Sequence, residues 1–419
     1  MTIAPWTVES WCRASSSATP SGPSAGRRYL VGGGLAFDRE SARNAALGEA
    51  IERYCGNIHV REPLKCSLDE AAERYGAVIH PQTVVQFTDA QYAHTEFPFV
   101  TTSNHDSIDW ELGHDLITGE TVAAPAAAVR LNYYRSHPDE ARRTPVLLPG
   151  IAAGVSINHA TESALLELFE RDATAQWWIC GRKATRLTFG PRSKVPELCS
   201  LDPTAGVELD WLLLHGPSKI PIVACVLVDT SLATLQVGFA ARTNIENAAL
   251  KAAAEAFQLR RLAAQAIDPK SELWSAVESE RIDFPLRKFR DDRRYSRTFR
   301  YDWSDMTQLV HNLQYYLDPH ACSAAYRKIS ATVDHDLHID GTYSINEDSP
   351  TAASEAVRLG LFTSVFDVTT SDARDAGYSV IRVIAPQLVA NMPTAYPPLG
   401  HPTIAAFRAE LNLAPLPHS

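Results

Sequence analysis

The sequence predicts an α/β protein in which helices pack on β-sheets. Three observations carry that expectation. Apolar residues recur at helical spacing over 40–55, 158–180 and 245–266. Short β-branched runs, among them PIVACVLVD at 221–229 and YSVIRVIA at 378–385, read as buried strands. Strands and long helices mix along the chain with no break in composition, which describes one mixed α+β architecture.

In chain order, residues 15–26 (SSSATPSGPSAG) are rich in Ser, Pro and Gly and lack periodicity. Residues 1–27 therefore read as a flexible lead-in and 28–419 as the folded unit. The run Gly32-Gly33-Gly34 opens the first helix and reads either as a tight turn or as a close approach to a phosphate. Stretch 110–134 is rich in turn residues and defines no element. The second helix, 158–180, carries Trp177 and Trp178, which read as core. Strands are expected at 211–214, 221–229 and 231–241, followed by an Ala-rich helix over 245–266. The charged stretch 278–302 reads as a solvated excursion, and the strand at 378–385 precedes a Pro-rich end. No internal repeat is visible.

Composition narrows the function. With 45% apolar and 21% charged residues, the chain has the make-up of a soluble globular protein. A formal net charge of −10 argues against the basic stripe of a nucleic-acid binder. There is no run of 18 apolar residues and no basic start followed by an apolar core, so neither a membrane span nor a secretory signal is expected and the cytoplasm is the expected compartment. Seven scattered cysteines, none in C-x-x-C spacing, argue against a disulfide framework or a zinc site and read as small buried hydrophobes. G-x-x-x-x-G-K-[ST], G-x-G-x-x-G and H-E-x-x-H are all missing.

Chemistry emerges when the helices are wound at about 100° per residue. On the first, Leu47, Ile51 and Tyr54 face inward, while Ser41, Ala45, Gly48, Glu49, Glu52, Arg53 and Gly56 share the opposite stripe. The second repeats the arrangement. Leu165, Phe169 and Ala173 pack, and Glu167, Glu170 and Arg171 stand among Ser156, Ala160, Ser163 and Thr174. The third places Asn247, Lys251, Glu255, Gln258, Arg261 and Gln265 in one sector and turns Arg260 away. Carboxylates and guanidinium groups set among small residues leave room for a bulky anion. Mg²⁺ takes hard oxygen ligands, commonly one or two carboxylates plus phosphates, and Arg grips phosphate oxygens through two N–H groups. E-x-x-E-R is also the pattern of a solvated face laced by ion pairs three and four residues apart. Pattern alone leaves both readings standing.

The blocks around these helices resemble the YcaO family. GGGLAFDRESARNAALGEAIERY at 32–54 resembles its first signature, and GIAAGVSINHATESALLELFERDATAQWW at 150–178 its second. VGFAARTNIENAALKAAAEAFQLRR at 237–261 resembles the third, while IAPQLVANMPTAYPPLGHP and the closing LNLAPLPHS resemble the C-terminal stretch. The resemblance runs from about residue 28 onward. It implies a fold particular to that family, with an ATP and Mg²⁺ site that uses no P-loop. By motif position, Glu49, Glu52, Glu167 and Glu170 would be metal or nucleotide ligands, with Glu52, Glu167 and Glu170 as the metal set. Arg53 and Arg171 would face phosphates, and Gln258 with Arg261 would complete the nucleotide site.

The resemblance further implies a cyclodehydratase that phosphorylates backbone amides of a ribosomally made precursor peptide and forms thiazoline or oxazoline rings from Cys, Ser or Thr. Its family alternatives are a thioamide-forming enzyme that uses sulfide and a non-catalytic scaffold subunit. With no leader-binding segment ahead of the family pattern, a separate leader-recognition partner related to E1 proteins is expected, and a homodimer is compatible. In cyclising members a Pro-rich tail reaches the active site, which makes the Pro415–Pro417 segment the candidate catalytic element. Departures from the family pattern are Ala45 in place of a frequent Ser, Val155 and His159 near the second helix where some members carry Asn and Glu, and a tail that continues through His418 and Ser419.

Overall fold

The structure, a computed structural model, describes residues 6–12, 30–58, 63–199, 206–279, 282, 285–341, 350–407 and 410–418. It is the mixed α/β architecture expected, built from three sheets. Strands β1 (Trp6–Cys12) and β2 (Leu30–Ala36) pair antiparallel, with Glu9 opposite Gly33. A seven-stranded sheet holds β3 (Leu64–Cys66), β4 (Ala77–Val78), β5 (Ile108–Asp115), β6 (Thr121–Pro125) and β7 (Ile151–Gly154), together with β13 (Ser364–Asp367) and β14 (Ser379–Ile384). A five-stranded sheet holds β8 (Ala184–Phe189), β9 (Val207–Leu214), β10 (Ile222–Asp229), β11 (Thr234–Ala241) and β12 (Val333–Ile339), in the order β11-β10-β9-β8-β12. In these two sheets β7 and β11 are edge strands.

Three long helices cover the sheets: α1 (Arg39–Gly56), α2 (Ile157–Cys180) and α3 (Ile245–Ile267). Each begins where a polar side chain caps exposed N–H groups. Asp38 accepts from Ser41 N, Ser156 from His159 N, and Asn244 from Glu246 N and Asn247 N. Alternation along the strands decides which face each helix covers. On β14, Val380 and Ile384 pack with Ile51 and Cys55 of α1, whereas Ile381 and Val383 pack with Leu165, Phe169 and Trp177 of α2. On β11, Leu235, Val237 and Phe239 face α2, while Ala240 faces the Ala248, Ala252 and Ala256 stripe of α3. The layers therefore run α1, seven-stranded sheet, α2, five-stranded sheet, α3. Buried on both sides, α2 keeps Trp177 and Trp178 in the core, as the sequence implies.

Several expectations change. Trp6–Cys12, assigned to a flexible lead-in, forms β1, because its extended pattern meets a glycine strand whose backbone needs a partner; the run at 15–26 lies outside the described residues. Gly32-Gly33-Gly34 is no turn but part of β2. A Cβ on Gly34 would stand 2.0 Å from Ala42 O and 2.3 Å from Ala46 N, so the glycine lets α1 lie directly on the strand. The undefined stretch 110–134 supplies most of β5 and all of β6. The excursion at 278–302 is only partly solvated, since Tyr295 and Phe299 are buried and Arg293 donates to Leu317 O and Leu232 O. The six cysteines with described side chains are free and buried.

Candidate functional site

Two E-x-x-E-R copies on separate helices meet because both sheets end in an edge strand near α2. An edge strand leaves every second N–H without a ladder partner, and such a donor must find an acceptor. Carboxylates serve that purpose here. On β7, Ala153 N donates to Glu52 Oε1 of α1 at 2.9 Å, and just ahead of it Gly150 N donates to Glu167 Oε2 of α2 at 2.9 Å. On β11, Ala241 N donates to Glu170 Oε2 of α2 at 3.1 Å and Phe239 N to Glu255 Oε2 of α3 at 3.4 Å. A third link closes the ring. Gly33 N donates to Glu49 Oε2 of α1 at 2.7 Å, and a Cβ on Gly33 would come within 3.0 Å of Gln258 Nε2 of α3. Thus β7 joins α1 to α2, β11 joins α2 to α3, and β2 joins α3 to α1.

The two arginines differ. Arg53 pairs with Glu49 of its own helix and is 51% exposed. Arg171 is 14% exposed, with Nη2 at 3.4 Å from Glu170 Oε1 and 3.8 Å from Glu167 Oε1. Its Nη1 lies 2.8 Å from His418 Nε2, and its buried Nε has no partner among the described residues. Arg260 turns away to Asp229, with Nε 2.6 Å from Oδ2, as the helix winding requires. Arg261 is exposed on α3, three residues past Gln258.

The electrostatics are those of a cluster short of cation. Burial, with Glu167 and Glu49 close by, pushes the Glu52 carboxyl up to about 8 against the pull of the Ala153 N–H. Burial raises Glu167, while Arg171 and the Gly150 N–H oppose the shift. Glu170 is pushed up to about 7 by burial against the pull of Arg171, with Glu255 and Glu167 adding to the rise. Glu255 goes the other way, because Lys251, 3.5 Å distant, and Arg171 outweigh its burial. Beneath them Arg382 is fully buried, donates to Val129 O, Pro149 O and Leu147 O, and is lowered to about 10 by burial although Glu167 and Glu52 support its charge.

The C-terminal segment reaches this cluster. Trp178 Nε1 donates to Ala414 O at 2.7 Å, Tyr316 Oη donates to Pro415 O, and Val237 N, the next free donor along the β11 edge, gives its hydrogen to Pro417 O at 2.9 Å. The Pro415–Pro417 segment is thereby held beside Arg171. Val155, 78% exposed, and the exposed His159 stand at the head of α2.

The arrangement suits Mg²⁺ and a polyphosphate. A Cβ on Gly48, on the stripe that carries Glu52, would meet nothing within 4 Å, which is open space beside the carboxylates. The unpartnered Arg171 Nε is a donor still lacking an acceptor. No three His, Cys, Asp or Glu side chains among the described residues close on one ion. Carboxylates offered singly or in pairs fit an ion that keeps waters and phosphates as its other ligands.

Comparison with known proteins agrees with this geometry. The chain belongs to the YcaO family, described as ATP- and Mg²⁺-binding YcaO cyclodehydratases, whose profile matches residues 33–389. ATP and Mg²⁺ are therefore its cofactors at the level of the family. No curated protein matches it in sequence. Among solved structures it is similar to a heterocyclase in complex with substrate and cofactor (20% identity, TM-score 0.65, 92% of this chain and 50% of that one). It is also similar to the heterocyclase TruD (22%, 0.56, 89% and 50%) and to the YcaO protein of Methanopyrus kandleri bound with AMPPCP and Mg²⁺ (17%, 0.53, 87% and 83%). The chain spans about half the length of the first two, and at these identities the likeness establishes the fold.

Sequence reasoning placed Glu255 and Lys251 in the right sector without assigning them a role, and it missed Arg382 and His418. Arg382 carried a usable signal, because a lone charge inside the strand IRVI must be buried with a reason. His418 carried none, because its contact with Arg171 spans 247 positions of sequence.

Proposed function

We propose that this chain is an ATP-dependent cyclodehydratase that phosphorylates backbone amides of a ribosomally made precursor peptide and closes thiazoline or oxazoline rings from Cys, Ser or Thr. The observation that carries the reading is the closed ring of Glu49, Glu52, Glu167, Glu170, Glu255 and Gln258 on three helices, with Arg171 facing Glu170 and Glu167. In this reading Glu52, Glu167 and Glu170 would supply carboxylates to Mg²⁺ singly or in pairs, while Arg53, Arg171, Gln258 and Arg261 would hold the nucleotide. ATP, when bound, supplies the phosphoryl group that removes the amide oxygen, and Mg²⁺ offsets the phosphate charge. The residues contribute position and charge. Backbone N–H groups fix one oxygen of Glu52, Glu167 and Glu170; the second oxygen of Glu167 and of Glu170 faces Arg171, and that of Glu52 is left for the ligand. A side chain already in the substrate attacks the amide carbon, so holding the two within reach is where binding energy acts best.

The reading includes a precursor peptide and a separate leader-recognition partner. It draws support from similarity to a chain of the McbBCD microcin synthetase complex of E. coli (13% identity, TM-score 0.53, 91% of each chain).

Mass spectrometry of a precursor peptide incubated with the chain, its partner, ATP and Mg²⁺ tests the reading. One water is lost per ring, and the loss disappears when the peptide's Cys, Ser and Thr are changed to Ala. A mass gain corresponding to sulfur for oxygen, dependent on sulfide, replaces cyclisation with thioamide formation. Modification of the peptide to the same extent by a complex that carries Glu167→Gln assigns the chain a scaffold role.

A further inference from the structure

We infer that His418 is a positioning residue that holds Arg171 in place without cancelling its charge. The inference rests on reading the carboxylate and guanidinium ring as the nucleotide site. A guanidinium has donors only, so at 2.8 Å from Arg171 Nη1 the His418 Nε2 must accept. Nδ1 then carries the ring hydrogen and donates to Val237 O at 2.9 Å. Both nitrogens are used, which fixes one neutral tautomer. The ring stands edge-on to Phe239 with centroids 5.1 Å apart, Asn312 Nδ2 donates to His418 O at 3.3 Å, and the residue is 6% exposed.

A neutral acceptor at this place has a consequence that an acid would not have. A buried carboxylate facing Arg171 would take two N–H groups and neutralise the guanidinium. An imidazole satisfies one N–H and adds no negative charge to that which Glu170 and Glu167 already bring. Nη2 stays near Glu170 and Glu167, and Nε, buried and without a partner among the described residues, is a donor that a phosphate oxygen would satisfy. The residue acts through Arg171 and need not touch the reacting atoms.

Calorimetric titration of the full chain with ATP and Mg²⁺ decides this, with thermal unfolding as the check on folding. His418→Gln keeps a carbonyl acceptor and is expected to bind within about 3-fold of the unsubstituted protein, whereas His418→Ala weakens binding by about 10-fold. His418→Asp weakens it further, by about 100-fold, because the guanidinium is neutralised. In a double substitution with Arg171→Lys, His418→Ala adds nothing, since both remove the same contact. In turnover the loss falls on KM for ATP rather than on kcat. Ala binding as tightly as His, Asp binding as tightly as Gln, or additive losses with Arg171→Lys overturns the inference. If the Ala variant unfolds, the contrast between Gln and Asp decides alone. If the unsubstituted protein binds no ATP, the nucleotide reading itself fails, and this inference with it.

Discussion

The same five-residue pattern, E-x-x-E-R, occurs on α1 and α2 in opposite surroundings. On α1 the arginine is half exposed and tied to Glu49 of its own helix. On α2 the arginine is only 14% exposed, shared between Glu170 and Glu167, and backed by His418 from the C-terminal segment. The layering causes the difference, because α1 covers an outer face while α2 lies between two sheets. Identical sequence motifs therefore supply one adaptable rim and one fixed centre. The centre keeps its arginine largely out of water, so it should dominate binding.

Removal of each arginine puts that comparison to its most demanding test. Arg171→Ala is expected to weaken ATP binding by about 100-fold, in keeping with charge-assisted contacts worth about 1.5–3 kcal/mol. It also leaves Glu170 buried without its cation, so Arg171→Lys is the companion variant that keeps the charge and loses the fork. Arg53→Ala is expected to cost less than about 5-fold, since an exposed pair contributes only about 0–1 kcal/mol. Calorimetry reads both, and equal losses would erase the distinction between rim and centre.

A smaller effect appears in stability against pH without nucleotide. In the folded protein Glu52 holds its proton up to about pH 8 and Glu170 up to about 7, whereas an unperturbed glutamate ionises near 4.5. Between those limits the folded state keeps protons that the unfolded state has released. These two groups therefore make stability fall as pH rises from about 4.5 toward 8. Glu52→Gln and Glu170→Gln remove their shares, each raising stability at pH 8 by on the order of 1–3 kcal/mol and leaving it unchanged near pH 4.5. Glu52→Gln gains more, because Arg53 is turned to Glu49 while Arg171 stays with Glu170. Urea midpoints across the pH range measure it, and a larger gain for Glu170→Gln would mean that Arg171 shields its neighbours less than its position implies.

Legibility in the sequence follows from range. The three helices and their charged sectors are visible because a 3.6-residue period is local, and their ends fall within a residue or two of the expected bounds. Strand β9 is longer than the expected 211–214 because Val207–Asp210 mixes Glu and Asp with apolar residues at a half-exposed position. Strand β5 escaped notice for the same reason, with Asp109, Glu111 and His114 breaking its apolar run. The glycine run reads as a turn until the helix that lies on it is in place. Within the site, the glutamates and arginines were legible. The strand edges that orient them were not, because an edge exists only once the sheet has been assembled.

The smallest effect probes the rim itself. Gly48 is on α1 between Ala45 and Glu52, where glycine costs a helix about 0.5–1 kcal/mol relative to alanine. A Cβ there meets nothing within 4 Å, so Gly48→Ala should stabilise the protein by about that amount with no clash to offset it. If the open space beside Glu49 and Glu52 is where the nucleotide lies, the added methyl intrudes on the ligand, and ATP affinity falls by a few-fold while the unfolding midpoint rises. The opposite signs are the point of the test, since a general loosening would lower both and a purely solvated face would raise stability alone. Gly34→Ala is the control on the other side of the same helix. Its Cβ would stand 2.0 Å from Ala42 O, so it is expected to destabilise the fold outright. Higher stability of Gly48→Ala with unchanged ATP affinity would show that the small residues of α1 serve the helix and not the ligand, and would leave α2 and α3 to hold the nucleotide.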